Sequence, residues 1–318
     1  MTSSGHIAEV RNLDVVYGNG LHAVVGASLS IGQRETVGLV GESGSGKSSL
    51  AKALVGLQRI SRGQAFVDGR DVAALNREGK GQLRRTVQMI FQDPVSSLSP
   101  RMTIGRLLAE PLAIHGVPRS EHRERIGRVL EALGVRLELL EKYPHQVSGG
   151  QARRIGIARA LVLEPKLIIA DEPTAGLDVS VQGDLLNLMV RLQDRLGLAY
   201  LIVSHNLGVI RRMTDRVAVM YLGRIVEEGP TPALFQVPGH PYTQGLIAAN
   251  PVIDPDRTRK RELLKGEIPS LRQPPSGCRF HPRCRYADAF CSEQEPEQLE
   301  VAPRRHVACH RAELLLSE

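Results

Sequence analysis

No stretch of this 318-residue chain approaches the roughly 20 consecutive apolar residues of a membrane-spanning helix. The opening residues, Met1 to His6, lack the basic-then-apolar pattern of a secretory signal. The expectation is a cytosolic chain, and any membrane crossing in its function falls to another polypeptide. Cysteine is absent from the first 277 residues, and all four cysteines lie between Cys278 and Cys309. A cytosolic location disfavours disulfides among them. A charged tail is missing too. The formal charge is +7, yet residues 251 to 318 carry 12 Lys and Arg against 11 Asp and Glu, so the excess is spread over the rest. A diffuse basic surface suits a place beside a membrane better than a nucleic-acid groove. The hydrophobic fraction of 42% and charged fraction of 24% are ordinary for a globular protein. The length suits one large domain with an appendage, or two modest domains.

What is present is an alternation of strand and helix signals. Residues 7 to 17 and 23 to 31 read as opening strands, and 35 to 40 as a short apolar strand feeding a glycine loop. A helix is expected over 47 to 57, and a strand over 86 to 91 that stops before Pro94. From 104 to 140 the pattern turns helical, with Ser120 as an N-cap and Ile126, Val129, Leu130 and Leu133 on one face. Further elements follow: a helix after Gln151, a strand over 167 to 170, a helix over 180 to 196, a strand over 199 to 203, and a last strand pair near 216 to 229. Such alternation predicts an α/β fold with a parallel sheet covered on both faces.

Three segments carry chemistry. Gly41-Glu42-Ser43-Gly44-Ser45-Gly46-Lys47-Ser48, followed by Ser49, lies between a strand and a helix. Its glycines let backbone N–H groups turn inward around a phosphate beside a helix N-terminus. Lys47 adds charge at the β- and γ-phosphates, and the Ser48 hydroxyl suits Mg²⁺. Asp171 and Glu172 close an apolar strand; the first is placed to hold Mg²⁺ and the second to polarise water as a general base. Between them, Val147-Ser148-Gly149-Gly150-Gln151 forms a second anion-binding turn at a helix start. Nothing in its own chain requires it.

In this order the segments resemble the ATPase subunit of an ATP-binding-cassette (ABC) transporter. Longer strings narrow the resemblance to the oligopeptide/dipeptide (peptide/nickel) importers: Gln88 to Pro94, Ser96 to Arg101, Tyr143 to Gln146, Gly239 to Thr243 and Gly266 to Ser270. It extends over essentially the whole chain. The resemblance implies an ABC core at 1–235 with a parallel sheet, an antiparallel β subdomain and a helical subdomain inserted at about 95–160, and a small C-terminal metal-binding region at 236–318. It implies that Tyr17 stacks on adenine, that Gln92 reaches Mg²⁺ and the attacking water, and that His205 contacts the γ-phosphate. Two subunits would pair head to tail, so that Ser148-Gly149-Gly150-Gln151 of one faces the ATP held by Gly41, Ser43, Gly44, Gly46, Lys47, Ser48 and Ser49 of the other.

Further implications are two membrane permease subunits, a second identical or homologous ABC ATPase, an extracytoplasmic solute-binding protein as indirect partner, and a peripheral place on the cytoplasmic face of the membrane. Nickel chelates and oligosaccharides are alternative cargoes. A soluble ABC ATPase acting on nucleic acid or ribosomes is the alternative of another class, but such proteins usually carry two cassettes or a long coiled-coil insertion, and no nucleic acid is expected here. The chain departs from the family at Val147 in place of Leu, Ala175 in place of Ser, and Asn206 in place of Asp.

Cys278, Cys284, Cys291 and Cys309 are separated by five, six and seventeen residues, which match no common zinc CxxC pair. Four thiolates fit a [4Fe–4S] cluster, which the resemblance also implies for this region. Zinc, with His281, His306 or His310, and four metal-free thiols are the alternatives. A metal would help fold a Pro-rich tail that lacks its own core.

Overall fold

In the computed structural model of the chain, residues 5–249, 264 and 266–317 are described. Strands β1 (His6–Val16), β2 (His22–Gly32) and β3 (Thr36–Val40) lead into helix α1 (Lys47–Leu54). Then come β4 (Arg62–Val67), β5 (Arg70–Asp71), α2 (Arg77–Thr86) and β6 (Val87–Ile90). Helices α3 (Ile104–Ile114), α4 (Arg119–Ala132) and α5 (Gly149–Leu161) precede β7 (Leu167–Asp171), α6 (Val179–Leu196) and β8 (Ala199–Ser204). The chain continues through α7 (Leu207–Met213), β9 (Arg216–Tyr221), β10 (Arg224–Pro230), α8 (Thr231–Gln236) and α9 (Pro241–Ala249). It closes with α10 (Ala289–Glu293), β11 (Leu299–Ala302), β12 (Arg305–Val307) and α11 (Ala312–Ser317).

Two units can be described. The first comprises the chain up to Ala8, Ser30–Glu35 and Phe66–Leu201. Within it β6 and β7 run parallel, from Val87 opposite Leu167 to Ile90 opposite Ala170. Residues 167 to 170 are all buried, as a strand sheltered on both faces must be. Helices pack together here: α3 on α4 and α5, and α5 on β6. Their core is Leu107, Leu108, Leu112, Ile126, Val129, Leu130, Leu133 and Ile155. One expectation fails. Ser120 lies inside α4, whose N-cap is Pro118 with no side-chain cap. Proline already holds a φ near the helical value, so the helix begins immediately after it, and the Pro118 carbonyl accepts the Glu121 N–H at 2.9 Å.

The second unit comprises Glu9–Leu29, Thr36–Ala65 and the chain from Ile202 onward. Strand β3 pairs parallel with β9, Val37 opposite Arg216. Beyond β9 the pairing turns antiparallel, through β10 to β12 and β11. A uniformly parallel sheet is therefore corrected to a mixed one. The cause is local: Leu222 and Gly223, with φ of 42° and 84°, make a two-residue turn that can only return the chain antiparallel. All of β3 and β9 is buried, whereas β1 and β2 alternate buried and less buried residues. Among the described residues, no helix is long and apolar enough to cross a membrane.

Candidate functional site

Tyr17, the glycine loop and His205 belong to the second unit; Gln92, Ser148–Gln151, Asp171 and Glu172 belong to the first.

The glycine loop leaves the end of β3 and enters α1 through Gly46, its N-cap, at φ 105°. A side chain at Gly41 would meet the Met220 carbonyl oxygen at 2.1 Å, and one at Gly46 the Ala23 carbonyl oxygen at 2.2 Å. Glycine is required at both places by close backbone approach as well as by positive φ. Lys47 is buried, and its Nζ donates to the carbonyls of Gly41 and Glu42, both at 2.8 Å, and to Ser45 Oγ at 3.3 Å. The ammonium is thus held inside the loop at the mouth of a helix, where an anion is favoured. The loop backbone is pinned from β9–β10, since Gly223 N–H donates to the Ser45 carbonyl at 2.8 Å.

Tyr17 follows β1 in a short turn closed by its own N–H to the Leu21 carbonyl at 2.9 Å. Its hydroxyl lies 2.9 Å from Ser49 Oγ, so the aromatic expected to meet adenine sits against the first turn of α1. His205 is exposed just past β8. Its neighbour Asn206 is the N-cap of α7, accepting from Gly208 and Val209 N–H groups at 2.9 and 3.3 Å. Asn206 thereby has a structural task of its own, which its place in a family pattern did not reveal.

In the first unit Gln92 is exposed in the segment after β6. The next residue organises the turn: Asp93 Oδ1 accepts from Val95 and Ser96 N–H groups at 3.0 and 3.3 Å. Helix α5 lies directly on Pro94, because a Cβ at Gly156 would stand 2.8 Å from Pro94 Cβ. The same helix begins at the signature turn. Ser148 Oγ accepts the Gln151 N–H at 3.3 Å while Gln151 Oε1 accepts the Ser148 N–H at 3.0 Å, a reciprocal capping box. Ser148, Gly149 and Gly150 are exposed, and a Cβ at either glycine would meet nothing within 4 Å. The fold around them does not demand glycine; an approaching partner would.

Arg153, one turn further along α5, donates from Nη1 to the Pro173 carbonyl at 3.2 Å. One helix therefore supports both the segment after Gln92 and the loop after Glu172. Partial burial lowers the Arg153 pKa, and Asp93 opposes that shift. Asp171 ends β7, and Glu172 follows at φ 50°, a left-handed conformation that glutamate rarely adopts. The loop is braced by Ala175 N–H to the Glu172 carbonyl at 3.1 Å. Neither Arg153 nor the Glu172 backbone carries a signal in the sequence.

Cys278, Cys284, Cys291 and Cys309 all line one cavity of about 10 Å³, together with His281 and His310. Backbone N–H groups of Tyr286 and Arg311 point at Cys284 Sγ and Cys309 Sγ, each at 3.4 Å. Burial pushes the Cys278 thiol up to about 11 and the Cys309 thiol up to about 12, with neighbouring thiols adding to both. Yet among the described residues no group of three or more His, Cys, Asp or Glu is arranged to hold a metal ion. The four cysteines line one cavity, but the expected C-terminal metal-binding region is not supported. His306 is not among the residues lining this cavity.

Residues 24–175 match the model of the ABC transporter family, and residues 226–291 match that of the oligopeptide/dipeptide transporter C-terminal region. The chain is 46% identical over 297 residues to the di/tripeptide transport ATP-binding protein DppF of Pseudomonas aeruginosa, covering 93% of this chain and 92% of that one. The chain belongs to the ABC transporter ATP-binding subunits of the oligopeptide/dipeptide family. Another relative of this ATP-binding subunit is the oligopeptide transport ATP-binding protein OppF of Salmonella typhimurium, at 45% identity over 93% of this chain and 89% of that one. Among solved structures, the subunit is similar to cbiO1 of Clostridium perfringens, part of the ABC transporter complex cbiONQ, with a TM-score of 0.68, 31% identity, and coverage of 73% and 92% of the two chains. The dimeric post-hydrolysis ATP-binding cassette MJ0796, bound to ADP and Pi, matches with a TM-score of 0.62 and 27% identity over 70% of this chain and 98% of that one. The ABC match takes in the glycine loop, the signature turn and Glu172. The C-terminal match takes in Cys278, Cys284 and Cys291.

Proposed function

We propose that this subunit hydrolyses ATP to power the import of di- or oligopeptides through a pair of membrane permeases. The observation that carries the reading is a buried Lys47 ammonium within a glycine loop at a helix mouth, in a chain 46% identical to a di/tripeptide transport ATP-binding protein. The loop N–H groups and Lys47 bind the β- and γ-phosphates, replacing the carbonyl contacts that Lys47 makes with Gly41 and Glu42. Tyr17 stacks on the adenine, and Ser43, Gly44, Ser48 and Ser49 line the phosphates. Ser48, Gln92 and Asp171 offer only hard oxygen donors, the set that Mg²⁺ prefers, and would hold that ion. That ion would supply positive charge against the phosphates. Glu172 accepts a proton from the attacking water, and His205 donates to the γ-phosphate.

The exposed Ser148–Gln151 turn serves the ATP of a second ABC subunit, identical or homologous. Closure of the pair on ATP supplies the stroke, by favouring the closed state through differential binding. The subunit then lies peripherally on the cytoplasmic membrane face, and an extracytoplasmic binding protein delivers the peptide. Cys278, Cys284, Cys291 and Cys309 are the thiols that would hold a [4Fe–4S] cluster, with zinc as the alternative, although among the described residues they are not arranged to hold a metal ion. Such a group would tie the C-terminal strands and turns together.

Reconstitution with its permeases in vesicles tests the reading. ATP-dependent peptide uptake that disappears with Lys47→Ala is the expected result; uptake unchanged by Lys47→Ala, or no peptide-stimulated hydrolysis, would overturn it.

A further inference from the structure

Glu42, the second residue of the glycine loop, has every polar group engaged, and two of its four partners, Tyr242 and Arg283, come from the C-terminal region while Ser45 and Lys47 belong to the loop. Its carbonyl accepts from Lys47 Nζ at 2.8 Å. Its N–H donates to the Tyr242 hydroxyl at 2.7 Å. Its carboxylate is gripped by both ends of the Arg283 guanidinium, Nη1 to Oε2 at 2.7 Å and Nη2 to Oε1 at 3.0 Å. The Arg283 side chain is only 4% exposed, and that of Glu42 21%. A bidentate pair of this burial fixes geometry as well as charge. The guanidinium also lies 5.8 Å from the Tyr221 ring centroid and 6.0 Å from that of Phe280. Tyr221, Tyr242 and Phe280 pack edge to face or tilted, with centroids 4.6 to 5.5 Å apart. Arg283 is thereby set in a rigid aromatic frame.

We propose that Arg283 and Tyr242 are positioning residues for ATP: a clamp from the C-terminal region that holds the glycine loop in its phosphate-binding shape and neutralises the Glu42 carboxylate. An unpaired carboxylate on that loop would repel the anion that Lys47 and the α1 terminus attract. The pairing removes that repulsion. The Tyr242 hydroxyl accepts one loop N–H and so orients the backbone between Gly41 and Ser43. The inference rests on the reading of Gly41–Ser48 as the phosphate site.

The test measures ATP affinity of the full chain and the KM and kcat of its hydrolysis with its permeases. Arg283→Ala is expected to weaken ATP binding about tenfold and raise KM alike, with kcat within about twofold, since one charge-assisted pair is lost. Adding Glu42→Gln removes the stranded charge and is expected to recover most of the loss, which a merely structural role for Arg283 would not do. Tyr242→Phe, which keeps the ring and its packing, is expected to weaken binding about threefold, the effect of one hydrogen bond. If Arg283→Ala does not fold, Arg283→Lys and Tyr242→Phe give the same readout. ATP binding unchanged in the folded variants, or single losses that simply multiply in the Glu42→Gln/Arg283→Ala double variant, would overturn the proposal. Loss of binding in Lys47→Ala alone, with the clamp variants normal, leaves the phosphate-site reading standing and the clamp refuted; a wild-type chain that binds no ATP refutes both.

Discussion

Arg153 donates from its guanidinium to the Pro173 carbonyl at 3.2 Å, joining the helix that starts at the signature turn to the loop that follows Glu172. Helix α5 therefore serves two places: its first residues form an exposed capping box, and its second turn holds the loop that follows Glu172. Arg153→Ala is expected to lower ATP turnover about tenfold, in line with a charged hydrogen bond of ~1.5 kcal/mol, while ATP affinity stays nearly unchanged. Steady-state hydrolysis alongside equilibrium ATP binding separates the two quantities.

Glu172→Gln keeps the side-chain shape and the backbone at φ 50° but removes the proton acceptor. Turnover should fall by about two orders of magnitude or more with ATP binding retained. Near-normal hydrolysis by this variant would refute the assignment of Glu172.

Two glycine substitutions should part company. Gly46→Ala puts a Cβ 2.2 Å from the Ala23 carbonyl at φ 105°, so thermal unfolding should show a loss of about 2 kcal/mol or more. Gly149→Ala meets nothing within 4 Å and should leave stability within about 0.5 kcal/mol. Its hydrolysis in the assembled transporter should nevertheless drop, because the added methyl blocks approach to the cap. A Gly149→Ala transporter with full activity would count against a role for this turn across a subunit interface.

The strand β12 is tied to β10 by a buried pair: Arg305 Nη2 lies 3.1 Å from Glu227 Oε1, with side chains 9% and 0% exposed. Glu227 also accepts from the N–H groups of Gly239 and His240 at 2.8 and 3.0 Å. Arg305→Met strands the carboxylate and should cost about 3 kcal/mol in denaturant unfolding.

Iron and sulfide in equal amounts in the anaerobically purified chain, with broad visible absorbance lost when Cys278 or Cys309 becomes serine, would establish the proposed cluster; their absence would refute it. Colourless protein loaded with zinc would favour the alternative metal.

The apolar runs at 36 to 40, 167 to 170 and 199 to 203 announced their strands because sheltered strands must be apolar throughout. The glycine loop and the Ser148–Gln151 turn were equally legible, since both depend on residue types at fixed spacing rather than on distant partners. Less was visible at Pro118, where a fixed φ overrode the capping preference of Ser120. The antiparallel β10–β12 edge was also hidden, because β12 has only three residues, too short for a period to register.

The sequence by itself determined the glycine loop and the Ser148–Gln151 cap, for each is a local backbone shape written in glycine and serine, and it set Asp171 and Glu172 at the end of an apolar strand, though not the left-handed backbone of Glu172. Tertiary structure alone decided that Arg283 holds Glu42 across 241 positions, that Arg153 braces Pro173, and that four scattered cysteines line one cavity. Those pairings arise from chain segments meeting in space, and neither periodicity nor residue preference encodes which charge will meet which.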